Sequence, residues 1–391
     1  MLLINANLKT MEQQDITNAY LRIQDGKIQE FGPMNQLTQT EGEDVLDVQG
    51  GFVLPGLIDA HCHLGMWEDG LGFEGDDGNE ETDPIMPQVR AIDAINPMDR
   101  CFQEALESGV TTVLTGPGSA NPISGTWCAI KTYGRRIDDM VLNPKIGMKF
   151  AMGENPKNVY HDKEQTPMTR MGTAALIREQ LMKAKHYKKD LKRSKREEDV
   201  DPPEYDMKCE ALLPVLKGKM KAFFHAHRAD DIFTAIRIAK EFQLDYVIVH
   251  GTEGYQIADL LAEEHADVIA GPVICDRSKP EMRGLSIENP AILKKHGVRV
   301  ALCTDHPVIP IQYLGLSGGV AVKGGMDYDD ALRMLTIVPA QICGIDHRVG
   351  SIKPGKDADL VVIQGDILNV YAKPDYVILN GEVVVSPKKS K

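Results

Sequence analysis

Two histidines end an apolar run near the start of the chain. Residues 52–63 read Phe-Val-Leu-Pro-Gly-Leu-Ile-Asp-Ala-His-Cys-His, so one residue separates His61 from His63. On a β-strand this spacing puts both imidazoles on the same face. Neutral imidazole is the commonest protein ligand for zinc-class metals. The pair therefore predicts half of a metal site, although two unrelated polar residues at an exposed strand end would look the same.

Three further apolar runs end in residues that can bind a metal. They end, in chain order, at His225 with His227 two positions later, at His250 and at Asp305. Each residue falls where a strand would pass into the following loop, and that end of a barrel of parallel strands carries the catalytic groups. Four strand ends that follow one rule are hard to assign to chance, and they favour a metal site.

The middle of the chain alternates between strand-like and helix-like patterns. Apolar runs predict strands at 55–60, 109–115, 146–152, 221–225, 245–250, 267–271 and 298–303. Helical spacing is found between them, over 173–187, 230–242 and 258–264. Such alternation with short connections indicates an α/β fold, a (β/α)8 TIM-like barrel. A doubly wound open sheet is the alternative, but no GxGxxG follows any of these strands.

Both ends of the chain are rich in short strands. Asp25-Gly26 separates two such runs near the start, and Asn380-Gly381 separates two near the end, which is a strong hairpin signal. Chain ends often meet at the surface. We therefore expect a small β-sandwich domain formed by residues 1–52 and 350–391, and a barrel domain formed by residues 53–349.

Composition narrows the class of partner. The 391 residues carry a formal net charge of −13, which argues against nucleic acid or an anionic membrane as the partner. The basic stretch over 183–196 is expected to be a solvated amphipathic helix in an inserted segment. Neither a signal peptide nor a membrane-spanning apolar run is visible. Seven cysteines, all isolated, suit reduced thiols in a cytoplasmic protein.

The order His-x-His, His, His, Asp resembles that of the amidohydrolase superfamily of metal-dependent hydrolases, over essentially the whole chain. Residues 54–63 resemble its first-strand motif, residues 109–113 its second strand and residues 350–363 its return into the β domain. The chain is most similar to imidazolonepropionase-related amidohydrolases and prolidase-like dipeptidases. This closer similarity lies in His225-Ala-His-Arg and Val249-His-Gly-Thr-Glu.

The resemblance implies a divalent metal centre, with zinc as the first choice and one or two ions per chain. The ligands that it implies are His61, His63, His225, His250 and Asp305. His227 competes with His225 for the fifth-strand position, and the resemblance favours His225. His227 would then contact the substrate.

A two-metal site also needs an anionic bridge, which relatives take from a carboxylated lysine or a glutamate on strand 3 or 4. Lys149 lies inside an apolar run, where an uncompensated ammonium would be costly. Glu154 follows a glycine at the expected strand end, and we take it as the first candidate. If neither residue bridges, the site holds one metal, as in imidazolonepropionases and many deaminases.

The expected reaction is hydrolysis of a carbon–nitrogen bond in an amide, a cyclic amide or a dipeptide. A metal would activate the water, Asp305 would serve as general base, and His250 or His227 would stabilise the oxyanion. Three side chains are candidates to hold a substrate carboxylate: Arg228, Arg170 and Tyr160.

Two other functions stay open. The chain could be a one-metal deaminase of a nitrogen heterocycle, but such enzymes usually carry a glutamate shortly after the fifth-strand histidine, where this chain has Arg228-Ala-Asp-Asp. It could instead be a non-catalytic relative, which the intact ligand set argues against. We expect a small-molecule or dipeptide substrate and a possible homo-oligomer.

Overall fold

The computed structural model describes residues 1–38 and 42–387. The strands in this part of the chain are β1 (Leu2–Leu8), β2 (Ile16–Gln24), β3 (Lys27–Pro33), β4 (Val45–Asp47), β5 (Phe52–Pro55), β6 (Leu57–Cys62), β7 (Val110–Thr115), β8 (Ile123–Lys131), β9 (Val141–Ala151), β10 (Lys221–Ala226), β11 (Tyr246–His250), β12 (Asp267–Ala270), β13 (Arg299–Leu302), β14 (Leu360–Ile363), β15 (Tyr376–Leu379) and β16 (Glu382–Val385). The α-helices are α1 (Arg100–Glu107), α2 (Ile137–Met140), α3 (Glu154–Asp162), α4 (Arg170–Ser194), α5 (Met207–Leu216), α6 (Ala229–Phe242), α7 (Ala258–Glu263), α8 (Asn289–Lys295), α9 (Leu314–Lys323), α10 (Tyr328–Met334) and α11 (Ile337–Ile342).

Strands β6 to β13 pair in chain order and form a nearly closed barrel. The two ends of this sheet meet just beyond the last strand. There, the Asp305 backbone N–H donates to the His61 carbonyl at 3.0 Å, and the His63 N–H donates to the His306 carbonyl at 2.9 Å. These bonds bring residues from the first and the eighth barrel strands side by side. Helices cover the outside of the barrel, as the α/β pattern predicts.

Strand β8 departs from the predicted all-parallel barrel. It runs antiparallel to both β7 and β9, so the expectation of a regular (β/α)8 repeat was wrong at this strand. Residues 116–122 join β7 to β8, and a parallel crossover needs a dozen or more residues. The sequence pattern did not indicate β8 because Ser124, Gly125 and Thr126 interrupt its apolar residues, although the whole strand is buried.

Strands from both chain ends form the second sheet, in the order β16-β15-β14-β5-β1-β2-β3, with β4 pairing on β1. Strands β5 and β14 join its two halves and run antiparallel. The predicted hairpin turns at Asp25-Gly26 and Asn380-Gly381 are confirmed, since all four residues have positive φ angles between 50° and 78°. The buried side chains of this sheet form an apolar cluster separate from the barrel core.

The predicted helices correspond to α4, α6 and α7. Helix α4 buries Ala174, Ile177, Leu181 and Ala184 and turns most of its lysines towards solvent, as expected of an amphipathic helix. All seven cysteines are free thiols, and six of them are buried. Among the described residues, no helix is both long and apolar enough to cross a membrane.

Candidate metal centre

Two groups of potential metal ligands lie at the carboxyl ends of the barrel strands. The first group contains His61 and His63 of the first barrel strand and Asp305, which follows β13. The second contains His225, His227 and His250, from the ends of β10 and β11. Within each group the potential ligand atoms lie within 4.8 Å of one another. The rings of His61 and His250 are 5.2 Å apart, so the two groups adjoin.

Hydrogen-bond acceptors face one another in the first group. Asp305 Oδ1 lies 3.3 Å from Nε2 of His61 and 3.3 Å from Nε2 of His63. His63 Nδ1 lies 2.6 Å from the Gly116 carbonyl, which only accepts, so Nδ1 carries the proton and Nε2 presents a lone pair. His61 Nε2 lies 3.1 Å from Lys149 Nζ. Lone pairs and a carboxylate that converge in this way fit a bound cation.

The second group is arranged in the same manner. His250 Nδ1 donates to the Gly271 carbonyl at 2.7 Å and leaves its Nε2 unprotonated. His225 Nε2 lies 3.4 Å from Asn155 Nδ2, a donor, and its buried Nδ1 has no hydrogen-bond partner among the described residues. His227 Nδ1 lies 2.6 Å from the Thr252 hydroxyl, and the His227 ring stacks on His250 at 4.6 Å.

Burial keeps four of these imidazoles neutral. It lowers the pKa of His61, His225, His227 and His250 well below the usual value of 6.5. Metal binding requires the neutral ring. The donor set of imidazole nitrogens and one carboxylate is typical of zinc-class divalent metals.

The backbone at the centre is held in conformations that L-residues rarely adopt. His250 has a φ of 73° and Asp305 a φ of 55°. Such strain persists where the surroundings over-determine it, and it clusters at functional sites. At Asp305 the support comes from Asp59, a fully buried carboxylate that accepts from the Thr304 hydroxyl, the Thr304 N–H at 3.2 Å and the His61 N–H at 3.1 Å. The sequence analysis did not single out Asp59.

The two candidate bridging residues have different surroundings. Lys149, on β9, is completely buried, and its Nζ lies next to His61. Burial lowers the pKa of Lys149 to about 7. Glu154 begins α3, and its carboxylate accepts from the Glu281 N–H at 3.0 Å and from Asn158 Nδ2 at 3.4 Å. The hydrogen bonds described for Glu154 involve neither histidine group, and its role as the bridge stays a prediction.

The carboxylate beside the second histidine group belongs to Glu281, which the sequence analysis missed. It is 1% exposed, and its Oε1 lies 3.6 Å from His225 Nε2 and 3.7 Å from His227 Nε2. Its other oxygen accepts from the Glu154 N–H at 2.9 Å. Residues 271–280 separate Glu281 from β12, so no strand-end pattern points to it. The only available signal was an acidic residue in the loop after a barrel strand.

The three predicted carboxylate-binding side chains are engaged elsewhere. Arg170 Nε lies 2.9 Å from Asp231, and Arg228 forms two hydrogen bonds to Asp230 at 2.7 and 2.9 Å. Tyr160 is fully buried and contacts an asparagine amide. A cavity of about 400 Å³ opens onto His63, His225 and Asp305, and none of the three lines it.

Comparison with known proteins gives a consistent picture. The amidohydrolase family model matches residues 218–384. A crystal structure of an amidohydrolase from Thermotoga maritima is 41% identical, with a TM-score of 0.95, over 99% of this chain and 100% of that one.

Two curated relatives are more distant. Amidohydrolase tasK from Hapsidospora irregularis is 29% identical over 86% of this chain, which spans only 37% of that relative. Imidazolonepropionase from Shewanella baltica is 23% identical over 91% of this chain and 90% of its own length.

Proposed function

Because the chain belongs to the amidohydrolase family, we propose that it is a metal-dependent hydrolase that cleaves a C–N bond in an amide, a cyclic amide or a dipeptide. One observation carries the proposal. The Nε2 atoms of His61 and His63, of which the second carries a lone pair, converge on Asp305 at 3.3 Å, in a cavity at the carboxyl ends of the barrel strands. Without a cation, the lone pair of His63 Nε2 and the Asp305 carboxylate would repel one another. The arrangement therefore supports a bound metal ion.

The residues that would hold the metal are His61, His63, His225, His250 and Asp305. Zinc is the first choice, with one or two ions per chain. When bound, such a metal lowers the pKa of a water from about 15.7 to about 7 and polarises the scissile carbonyl.

We propose Lys149 rather than Glu154 as the anionic bridge. A lysine with a pKa of about 7 is partly neutral at physiological pH, and the neutral amine is the form that adds to carbon dioxide. The addition forms a nitrogen–carbon bond, releases one proton and leaves a carbamate with a negative oxygen. Burial next to His61 is consistent with this role, because an unmodified ammonium would be poorly solvated there.

The chain's own residues divide the proton transfers and the charge stabilisation. Asp305 lines the cavity and is 17% exposed at its side chain, so it can accept a proton from the attacking water and pass it to the leaving nitrogen. His227 is the better candidate to stabilise the oxyanion. His250 Nε2 has a lone pair and no proton to donate. His227 Nδ1 contacts the Thr252 hydroxyl, which can donate to it, and the proton of His227 is then on Nε2, where it can be donated to the oxyanion.

A second candidate is a one-metal enzyme, either an imidazolonepropionase-type hydrolase or a deaminase of a nitrogen heterocycle. Glu281 favours it, since a buried carboxylate beside His225 and His227 can move protons to and from a ring nitrogen. This glutamate comes from the loop after β12 rather than from the segment after β10.

Metal analysis combined with a substrate screen tests both candidates. The metal-loaded protein is assayed for hydrolysis of N-acyl amino acids, lactams and dipeptides, and separately for ammonia release from aminopurines and aminopyrimidines. Two metal equivalents with C–N hydrolysis support the first candidate, and one equivalent with ammonia release supports the second. A metal-loaded protein that turns over neither group of compounds contradicts both.

A further inference from the structure

One cation lines the candidate active-site cavity among the described residues. Lys279, in the segment between β12 and α8, has a side chain that is 29% exposed. Its Nζ lies 2.9 Å from Glu281 Oε1 and 2.9 Å from Asn155 Oδ1. An ammonium has three donor protons. The contacts described for Lys279 are a hydrogen bond to Asn155 and an ion pair with Glu281, so at least one proton remains for a ligand in the cavity.

Asn155 connects this cation with a hydroxyl and with the second histidine group. Its Nδ2 donates to Ser119 Oγ at 2.7 Å and lies 3.4 Å from His225 Nε2. Since Ser119 Oγ accepts from Asn155, the hydroxyl proton is free for another acceptor. Both Ser119 and Asn155 line the cavity. The lining of the cavity therefore offers hydrogen-bond donors close to His225, one of the proposed metal ligands.

Of the two carboxylates that line the cavity, one has a cationic partner and the other belongs to the proposed metal centre. Glu81 pairs with Lys163 at 2.8 Å, and Asp305 faces the first histidine group. The lining also includes apolar side chains, among them Trp67, Pro307 and Val308. Val308 is 54% exposed, although it is a large apolar side chain. A ligand that matches this lining has both a negatively charged oxygen group and an apolar group.

We propose that the substrate carries a carboxylate close to its scissile C–N bond, and that Lys279 binds this carboxylate with help from Ser119. Lys279 is then a specificity-determining residue. The inference rests on the proposed function, because it names the substrate class of the same site. A charge-assisted hydrogen bond of this kind stabilises a bound anion more than a neutral isostere.

Equilibrium binding tests the inference independently of turnover. The probes are N-acetylglycine, N-acetylleucine and N-acetylproline, each paired with its C-terminal amide, titrated into the metal-loaded full chain by calorimetry. At least one acid is expected to bind about tenfold or more tighter than its amide, because the amide has lost the charge. Lys279→Met should abolish this preference by weakening the binding of the acid while the binding of the amide is unchanged. Lys279→Arg should retain most of the preference.

Arg283 provides the matched control. It lies in the same segment, has a side chain that is 72% exposed and is not among the residues that line the cavity. Arg283→Met removes one positive charge and should leave the preference within about twofold of the wild type. Metal content is measured for every variant, so that loss of metal is not mistaken for loss of the cation.

The outcomes separate the two proposals. Equal binding of acid and amide, no binding of either, or a preference that survives Lys279→Met overturns the carboxylate inference. A preference that depends on Lys279, in a metal-loaded protein that hydrolyses no compound of the substrate screen, supports the inference and contradicts the proposed hydrolysis. Hydrolysis of compounds in the screen, without any preference for acid over amide, supports the proposed function and contradicts the carboxylate inference.

Discussion

The two ends of the barrel both bury ionisable groups, but they satisfy them differently. At the end opposite the histidines, Lys131 Nζ lies 2.7 Å from Asp357 and 2.9 Å from Asp359, and all three side chains are at most 4% exposed. Asp357 also pairs with Lys27 and Arg348. At the histidine end, imidazole nitrogens and a carboxylate face one another without a cationic side chain between them among the described contacts.

This difference separates a structural ionic cluster from a ligand site. Charges that are buried together with opposite charges neutralise one another, and here they connect the C-terminal segment to β8. Acceptor atoms that are buried against other acceptor atoms are stabilised only when a cation binds between them. We therefore expect substitutions at the histidine end to change metal content and activity, and substitutions at the opposite end to change stability alone.

The largest effect is expected from the histidines. His61→Ala or His250→Ala removes one of the proposed ligands, so both metal content and hydrolysis should be lost. Elemental analysis and the substrate screen measure the two losses. His296→Ala is the matched control, because His296 is exposed on the outside of the barrel and should change neither. Full metal occupancy in the His61 variant would remove that residue from the centre.

Asp305→Asn should lower turnover by about 10²- to 10⁴-fold while the fold and part of the metal remain. An amide can still accept a hydrogen bond, but it cannot take up the proton from the attacking water. Turnover and metal content are compared on the same preparation. An active variant would place the general base elsewhere.

Lys149→Ala and Glu154→Gln sharpen the assignment within the histidine end. If carboxylated Lys149 bridges two ions, its alanine variant loses one metal equivalent and most activity, and bicarbonate promotes reconstitution of the wild type. Glu154→Gln should then keep the metal, because its described hydrogen bonds lie with Glu281 and Asn158. The opposite result would restore Glu154 as the bridge. A mass increase of one carboxyl group on Lys149 is an independent measurement.

The sequence predicted the ligand positions better than the residues around them. Apolar strands end at His61, His225 and His250, and the structure brings these three together because the carboxyl ends of parallel strands share one edge. Glu281 was missed because its position depends on how the segment after β12 folds back onto α3. Such long-range placement leaves no periodic trace in the sequence.

Strand β8 shows the other limit of the sequence pattern. The sequence analysis predicted no strand there, and its last residue, Lys131, is buried because partners distant in sequence satisfy its charge. Asp357 and Asp359 lie more than two hundred positions away. Polar residues therefore hide a strand from a pattern analysis whenever the rest of the fold supplies their hydrogen bonds and charges.

The smallest effect is expected at the ionic cluster, and it depends on pH. Although burial alone would raise the pKa of Asp357, its contacts with Lys131, Lys27 and Arg348 lower it to about 2. A carboxyl group whose pKa is lower in the folded state stabilises the fold above its unfolded pKa, near 4, and this contribution disappears as the pH falls towards 2. Asp357→Asn should therefore cost about 1–2 kcal/mol of unfolding free energy at pH 7 and much less near pH 2.

Denaturant unfolding between pH 7 and pH 2 measures this difference, and activity per folded molecule at pH 7 should be unchanged. Asp138→Asn is the control, since Asp138 and its partner Arg136 are both 69% exposed and a surface pair contributes little. A deficit that persists unchanged to pH 2 would mean that the asparagine disturbs packing rather than charge. A loss of activity without a loss of stability would show that the ionic cluster is coupled to the histidine end, and the contrast between the two ends would then fail.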